Sequence, residues 1–341
     1  MAVSMDKNKI KTIADIARLA KVSKSTVSRA LNDSPLVKPQ TKTRIQAIAR
    51  EHNFRISAPA RSLSTQRSNT VAFVTYAYHK NSYSADLLFG AEILSGITEG
   101  LYALGYELLV VHVDPRQEGW AQRYLDSGRV DGFILMTSVR KQWHIKNLVQ
   151  IDAPFIAWGV PIPKYRYCTV SGDDLSGGRL ATERLISIGR QRIAFIGGPP
   201  DELEVKARQE GYQQALHKIG QDVDPSLLAY GDWTPESGAR AMKQLLAQAP
   251  DLDAVFVNSD LMAIRAIDVI QAAEKQVPND IAVVGYDDLT IASFNNLPLT
   301  TIRQNIPLAG KLLAQNLIQY IQDRVVTNVT IPVELVVRES A

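Results

Sequence analysis

The sequence is poor in the residues that form covalent cross-links and metal sites. Its single cysteine excludes an intramolecular disulfide and a CxxC metal knuckle. This residue, Cys168, stands beside Tyr167 and Thr169, a setting that predicts a buried strand thiol rather than a reactive one. The five histidines are scattered along the chain and show no metal-ligand spacing. We therefore expect neither a metal nor a cofactor.

Long apolar runs are also missing. Although 45% of the 341 residues are hydrophobic, no run approaches the length of a membrane-spanning helix. The N-terminal segment MAVSMDKNKIK lacks the apolar stretch of a secretory signal peptide. The apolar residues are therefore expected to build large cores, in a cytoplasmic protein with no membrane partner.

Common catalytic motifs are absent as well. The chain contains no GxSxG elbow, no Walker loop, no GxGxxG after a strand and no HExxH pair. These absences argue against an enzyme.

Charge is present in both signs but is distributed unevenly. The whole chain has a net charge of +3, yet residues 1–70 contain 14 Lys and Arg against 4 Asp and Glu, a net charge of +10. The remaining residues therefore carry a net charge of −7. A basic head on an acidic body is the distribution expected of a nucleic-acid-binding protein, because the head binds phosphates while the body is repelled.

Residues 12–32, TIADIARLAKVSKSTVSRALN, predict two short helices joined by a tight turn. Thr12 and Ser23 are suited to cap these helices. On the second helix, apolar and polar residues fall on opposite faces, namely Val27, Ala30 and Leu31 against Lys24, Ser25, Thr26, Ser28 and Arg29. A third helical pattern runs from Thr41 to His52. This arrangement predicts a helix-turn-helix unit, with an ordinary helical hairpin as the alternative.

From residue 71 onward, apolar strand patterns alternate with amphipathic helical patterns. The strand candidates are 71–76, 107–113, 132–136, 154–158, 192–198, 227–231, 254–258 and 281–288. Near-continuous Val and Ile runs indicate strands that are buried on both faces, and hence parallel sheets. Two such series predict an α/β body of two Rossmann-like lobes, a fold that binds ligands at the carboxyl ends of its strands.

Seven segments spread along almost the whole chain belong together, namely IADIARLAKVSKSTVSRALN, ARSLSTQRSNTVAFV, ATERLISIGRQRIAFIGG, ARQEGYQQAL, VNSDLMAIRAI, VVGYDD and PLTTIRQN. In this order they resemble the lac repressor family of bacterial transcription regulators. The resemblance implies an all-α helix-turn-helix head followed by a periplasmic-binding-protein-like α/β body. The implied domains are a DNA-binding domain at 1–56, a hinge at 57–69 and an effector-binding and dimerisation domain at 70–341.

The resemblance also implies how the chain is shared between the two lobes of the body. The first lobe would take about 70–169 and 303–331, and the second about 170–302 and 332–341. The hinge would become helical on operator DNA. The family usually has Pro-Asn where this chain has Ile56-Ser57, which leaves the start of the hinge helix open.

In the head, the outer face of the second helix is expected to read DNA bases. Lys24, Ser25 and Arg29 match the family's positions for base contacts, and Lys and Arg can donate to guanine O6 and N7. The residues suited to phosphate contacts are Thr12, Thr26 and Ser28.

In the hinge, Leu63 is the lone large apolar residue of a basic segment. The family uses a leucine at this position as a wedge that kinks the DNA from the minor groove. Arg61 and Arg67 flank it and would contact phosphates. Packing of Leu63 on the body is the alternative.

In the body, the resemblance implies an effector site between the two lobes. Asp287 matches the family's effector-binding acid, whereas Asp288 is expected to cap the following turn. Arg208 matches an arginine that grips polar ligand groups. A salt bridge between Asp287 and Arg208 is the structural alternative for this pair.

Further candidates for the effector site follow strand ends. Trp233 matches an aromatic residue that stacks on the ligand, and Ser259 matches a position that is often Asn. Trp158 and Tyr76 end two strands of the first lobe and complete the set. Where the family often has an Asn and aromatic residues after the first strand, this chain has a longer loop with four aromatic residues that are weaker candidates, namely Tyr76, Tyr78, Tyr83 and Phe89.

These residue types favour a sugar as the effector. Charged planar groups take vicinal hydroxyls in pairs, and an aromatic ring covers the C–H face of a sugar. A purine would use a similar set, so it stays as the second ligand class.

Together these features predict a transcription regulator, specifically a repressor that acts as a homodimer. It would bind a pseudo-palindromic operator in double-stranded DNA and respond to a small effector, a sugar or glucoside. The alternative is the solute-binding protein of a sugar transporter, which fits the body alone and leaves the basic head unexplained. An enzyme on an α/β scaffold is the third reading.

Overall fold

A computed structural model describes residues 12–54, 67–76, 83–114, 117–136 and 142–341, except for the side chains of residues 76 and 83–87. The chain divides into two compact units, Met1–Asn69 and Thr70–Ala341. None of the described helices combines the length and the apolar composition needed to cross a membrane.

The described part of the first unit consists of the three predicted helices. They are α1 (Ile13–Ala20), α2 (Lys24–Leu31) and α3 (Pro39–Glu51). The third helix begins at Pro39, two residues before the predicted start, because the fixed φ of proline suits the first turn of a helix. The hinge prediction lies mostly outside the described residues, and residues 67–69 form no regular element.

The first unit has its own small core, built from the apolar faces of the three helices. Val27 and Ala30 of α2 are fully buried, as the helical spacing predicts. They pack with residues of the other two helices and of the connecting loop, namely Ile16, Ala17, Ala20, Val37, Ile45 and Ala49. The polar face of α2 is therefore the one that remains available to a partner.

The second unit is an α/β structure. Its strands are β1 (Thr70–Tyr76), β2 (Glu107–Val113), β3 (Gly132–Met136), β4 (Phe155–Trp158), β5 (Cys168–Gly172), β6 (Ile193–Gly197), β7 (Leu228–Tyr230), β8 (Ala254–Val257), β9 (Ala282–Asp287), β10 (Thr300–Arg303), β11 (Asn328–Ile331) and β12 (Glu334–Val336). The helices are α4 (Tyr83–Ala103), α5 (Trp120–Asp126), α6 (Trp143–Gln150), α7 (Asp174–Ser187), α8 (Leu203–Lys218), α9 (Pro235–Gln248), α10 (Asp260–Ala272), α11 (Thr290–Phe294) and α12 (Ile306–Asp323). A short 3₁₀ turn, Pro225–Leu227, precedes β7.

These strands form two sheets, one in each lobe. Among the described residues, each sheet has six strands, in the orders β11-β5-β4-β3-β1-β2 and β12-β10-β9-β8-β6-β7. The pairs within them are parallel, apart from the antiparallel edge pair of β10 and β12. The predicted fold class is confirmed. The strand patterns did not predict β5, β10, β11 and β12, which are short and partly polar, so their place depends on pairing with distant strands.

The first crossing between the lobes differs from the prediction. We placed it near residue 169, but β5 pairs with β4 from Ile156↔Cys168 and with β11 as far as Ile331↔Gly172. Because both neighbours of β5 belong to the first sheet, the chain crosses after Gly172. It returns after Arg303, the last residue of β10 in the second sheet. Helix α12 then packs on the first sheet.

Each sheet is covered on both faces, as the apolar runs predict. In β3, Ile134 belongs to the core on one face while Phe133 and Leu135 belong to the core on the other. In β8, Phe256 and Val255 divide between opposite faces in the same way. Cys168 is fully buried in β5, which agrees with a structural thiol. Covered faces leave the carboxyl ends of the strands as the place for a ligand.

Candidate functional site

The outer face of α2 presents charged and hydroxyl side chains. Lys24, Ser25 and Arg29 are exposed, and Thr26 and Ser28 are half-buried. Lys24 and Arg29 form no ion pair with any described residue, so both cations remain available to an anionic partner. The base-reading role of this face remains a prediction.

Two of the hydroxyl groups on α2 already take part in its cap. The Ser23 hydroxyl accepts a hydrogen bond from the Thr26 backbone N–H at 3.1 Å. The same oxygen lies 2.8 Å from the hydroxyl oxygens of both Ser25 and Thr26. This network holds the first turn in one geometry, so Ser25 and Thr26 would contact DNA from fixed positions.

Thr12 serves as the cap of α1. Its hydroxyl donates to Asp15 Oδ2 at 2.8 Å and accepts from the Asp15 backbone N–H at 3.2 Å. The Thr12 side chain is thereby held in a reciprocal capping box. A contact with DNA phosphate would use the same hydroxyl that already bonds to Asp15. This phosphate contact stays a prediction.

Only one of the three predicted hinge residues lies within the described part of the chain. Arg61 and Leu63 lie outside the described residues, and Arg67 is described and exposed. The minor-groove wedge and both phosphate contacts therefore remain predictions.

In the second lobe, a buried ion pair lies at the carboxyl edge of the sheet. Arg208 of α8 donates from Nε to Asp174 Oδ1 at 2.7 Å, and the two side chains are 7% and 5% exposed. Arg208 also donates from Nη1 to the Asn258 carbonyl oxygen at 2.8 Å. Burial opposes the charge of Arg208, but the carboxylate of Asp174 raises the pKa of this guanidinium above its ordinary value. In the described part of the chain, the remaining nitrogen, Nη2, has no acceptor.

Aromatic rings surround this arginine. The Arg208 guanidinium carbon lies 3.7 Å from the ring centroid of Tyr286 and 5.7 Å from that of Trp233. The half-buried Trp233 ring covers Gly198, where a Cβ atom would collide with the ring. This packing fixes the indole next to Arg208, at the end of β6.

Asp287 ends β9 and is nearly buried. Its Oδ1 accepts a hydrogen bond from Gln304 Nε2 at 2.8 Å, which leaves Oδ2 without a donor among the described residues. The salt bridge to Arg208 that we considered as the alternative is absent, because Arg208 pairs with Asp174 instead. Burial raises the pKa of Asp287 to about 7, in spite of the opposing charge of Arg208.

The role expected for Asp288 is wrong. Its carboxylate pairs with Arg303 Nε and with Arg338 Nη2, both at 2.6 Å, and does not cap the following turn. The two adjacent aspartates therefore differ: Asp288 is held in an ion-pair network, while Asp287 Oδ2 accepts from no residue in the described part of the chain.

The other strand-end candidates are placed as follows. Ser259 caps α10 by accepting from the Met262 backbone N–H at 3.3 Å. Trp158 is buried at the end of β4, with its ring centroid 5.9 Å from that of Phe89 on α4. Tyr76 ends β1, and its side chain lies outside the described residues.

The sequence did not predict several residues of this region. Asp174 and Tyr286 position Arg208, Gln304 positions Asp287, and Glu204 lies one helical turn before Arg208 on α8. Burial raises the pKa of Glu204 to about 7. Gln304 belongs to the segment PLTTIRQN, so a strand-end polar residue in that segment was the available signal. The described residues contain no cluster of side chains able to hold a metal ion.

Comparison with protein families gives both units the same assignment. A model described as "Bacterial regulatory proteins, lacI family" matches residues 12–57, and one described as "Periplasmic binding proteins and sugar binding domain of LacI family" matches residues 69–339. The chain belongs to the LacI family. The predicted family and the predicted function as a DNA-binding transcription regulator are thereby confirmed.

Individual relatives support the same assignment. The LacI-family chain is 36% identical over 338 residues to the HTH-type transcriptional regulator CelR of Thermobifida fusca, with 97% of each protein covered. It resembles a solved CelR–cellobiose complex with a TM-score of 0.73 and 34% identity, covering 97% of this chain and 100% of that one. It resembles a lac repressor dimer bound to operator and the anti-inducer ONPF with a TM-score of 0.79 and 28% identity, covering 96% and 98%.

Proposed function

We propose that this LacI-family regulator is a repressor that binds operator DNA as a homodimer and is controlled by a glucoside or short oligosaccharide. The choice of a sugar as the ligand rests on three residues at one edge of the second sheet, namely Arg208, Asp287 and Trp233. Arg208 Nη2 supplies a charged donor and Asp287 Oδ2 a charged acceptor, and the indole supplies an apolar face. Vicinal hydroxyls with an adjacent C–H face match these three features.

Two further features support a sugar. Trp158 and Phe89 place a second aromatic surface at the carboxyl edge of the first sheet, so a ligand between the lobes would meet rings from both sides. A structure similar to this chain holds cellobiose. We therefore take cellobiose as the first compound for experiments.

Two residues that follow Asp287 closely in the chain, Leu289 and Thr290, contact the first lobe. Leu289, two residues later, is 3% exposed and packs in the core of the first lobe with residues of α4 and α12. Thr290 donates from its backbone N–H and its hydroxyl to Glu92 Oε1 of α4, at 2.9 and 3.0 Å. A ligand that moves Asp287 would therefore displace α4, which is how occupancy of the cleft can reach the first lobe.

The transporter alternative has little support. A solute-binding protein has no use for a helical DNA-binding unit, and the family model over residues 12–57 describes regulatory proteins.

The test uses the full chain. Selection from a random DNA pool is expected to enrich a pseudo-palindrome, and a sugar panel beginning with cellobiose is then added to the complex. A sugar that changes operator affinity supports the proposal. A response to purines and to no sugar would overturn the ligand class, and failure to enrich any sequence would overturn operator binding.

The exposed arginines of the first unit should affect DNA binding in different ways. Arg29→Ala is expected to lose discrimination at one base pair, by about 1–3 kcal/mol, because Arg29 would contact a base edge. Arg67→Ala should weaken binding to all sequences alike and reduce the salt dependence, because it would contact phosphate. Binding titrations on matched and mismatched operators at several salt concentrations measure both effects. Equal losses on both DNAs for Arg29→Ala would contradict the base contact.

Sugar binding should depend on pH through Asp287. Because the pKa of Asp287 is raised from 3.8 to about 7 by burial, stability of the ligand-free chain should fall as pH rises through that interval, since the unfolded chain ionises first. Sugar hydroxyls that donate to the carboxylate favour its charged form. Affinity for cellobiose should therefore rise between about pH 6 and about pH 8, with release of a proton on binding.

Calorimetry in buffers of different ionisation enthalpy measures this proton. Glu204→Gln is the control, because the pKa of Glu204 is also raised to about 7. The release should persist in that variant. Binding heats that are independent of the buffer would show that Asp287 does not ionise on binding.

A further inference from the structure

Three consecutive polar residues follow β8 at the carboxyl edge of the second sheet, namely Asn258, Ser259 and Asp260. All three are buried. Ser259 accepts from the Met262 backbone N–H at 3.3 Å, and Asp260 accepts from the Leu289 backbone N–H at 2.8 Å and the Thr301 hydroxyl at 2.5 Å. These two side chains therefore have structural partners.

Asn258 differs from its neighbours. Its side chain is 0% exposed, and neither Oδ1 nor Nδ2 has a hydrogen-bond partner among the residues that the structure describes. Its backbone, in contrast, is held on both sides: the N–H donates to the Ile196 carbonyl at 2.9 Å, and the carbonyl accepts from Arg208 Nη1 at 2.8 Å. A buried carboxamide without hydrogen-bond partners lowers the stability of a folded chain. Its presence therefore points to a role other than stabilising the fold.

The position of Asn258 indicates that function. Its carbonyl is bound by the arginine that Trp233 and Tyr286 surround. Asn258 directly follows β8, and β8 pairs with β9, the strand that ends at Asp287. Full burial does not separate it from the cleft, because Arg208 and Asp287 are themselves only 5% and 8% exposed.

We propose that the Asn258 carboxamide is a specificity-determining group that binds a hydroxyl pair of the effector. Nδ2 would donate to one hydroxyl oxygen while Oδ1 accepts from the neighbouring hydroxyl. An amide is neutral and offers both a donor and an acceptor, and so do vicinal hydroxyls. The inference rests on the proposed sugar effector.

The rival explanation is a structural role, in which the carboxamide holds the fold through buried water. The two roles predict opposite effects in the ligand-free chain. If the amide serves the ligand, the nearly isosteric Asn258→Leu removes an unpaired buried polar group and leaves the melting temperature of the apo chain equal or higher. If the amide is structural, the same change lowers it. Asn258→Ala is a second variant, because it removes the amide without introducing a branched side chain that could clash with its neighbours.

The experiment uses the full chain and two measurements, thermal unfolding without ligand and calorimetric titration with cellobiose. Asn258→Leu and Asn258→Ala are expected to weaken cellobiose binding by about 10- to 100-fold. Asp253→Ala is the matched control: Asp253 stands at the amino end of β8 and accepts from the backbone N–H groups of Gln191 and Arg192 at 2.8 and 2.9 Å, so its loss should lower the melting temperature of the apo chain and leave cellobiose affinity unchanged.

Deoxy analogues of cellobiose separate a direct contact from an indirect one. The analogue that lacks the contacted hydroxyl should bind the wild-type chain more weakly, yet bind Asn258→Leu as well as cellobiose does. Additive losses for every analogue would overturn the contact, as would a lower apo melting temperature in both Asn258 variants. If no sugar binds the wild-type chain, the proposed effector class fails. The apo measurement then still decides whether the amide is structural.

Discussion

Replacing Arg208 by methionine is expected to destabilise the second unit by about 3–5 kcal/mol. The methionine retains most of the side-chain volume but leaves the Asp174 carboxylate buried without its cation. The change also removes the hydrogen bond to the Asn258 carbonyl. Denaturant unfolding measures the loss, with the transition of the second unit followed separately because a chain of two units need not unfold in one step.

Two controls separate burial from charge in this prediction. Arg179→Met removes an ion pair on the preceding helix, α7, where Arg179 and Glu183 are 41% and 28% exposed, and should cost less than about 1 kcal/mol. Adding Asp174→Asn to Arg208→Met should recover part of the stability, since it removes the unpaired charge. A loss no larger than that of Arg179→Met would mean that the pair is solvated and is not the rigid base of a ligand site.

Asp287→Ala is expected to leave operator binding intact and to weaken cellobiose binding by about 100-fold or more. The carboxylate is the acceptor at the centre of the proposed site, and its removal leaves Gln304 Nε2 and the hydroxyls of the sugar without an acceptor in a buried region. Operator titrations with and without cellobiose measure the response. The variant should remain on the operator at sugar concentrations that change the affinity of the wild-type chain.

The neighbouring aspartate supplies the matched control. Asp288→Asn disrupts the pairs with Arg303 and Arg338, so it should lower stability while preserving the response to cellobiose. Should Asp287→Ala respond like the wild-type chain, or should Asp288→Asn alone abolish the response, the effector site would be misplaced.

The fold was largely predictable because its signals are local. Helical spacing in residues 12–32 separated the buried Val27 and Ala30 from the exposed Lys24 and Arg29, and the structure keeps that division. Continuous Val and Ile runs such as β8 predicted strands covered on both faces. The short strands β5, β10, β11 and β12 were not among the predicted strands, because their hydrogen-bond partners, not their own composition, make them strands.

The candidate site was predictable only in part. The sequence could nominate Asp287 and Trp233 from their positions after strands and from the family resemblance, and Arg208 from the resemblance alone. It gave no reason to choose Asp174 as the partner of Arg208, or to notice that Asn258 would be buried with an unpaired amide. Its prediction for Asp288 was wrong because the two arginines that bind this residue come from β10 and from the C-terminal segment.

By itself, the sequence determined which residues of the predicted helices and strands face a core, and which side chains follow the predicted strands. Only the tertiary structure decided which of those side chains meet. Arg208 and Asp174 are 34 residues apart in the chain, and Arg338 and Asp288 are 50 residues apart. Periodicity fixes the direction of a side chain relative to its own helix or strand. The partner of a charge depends instead on how distant elements pack, and burial then determines whether that charge is paired, protonated or left for a ligand.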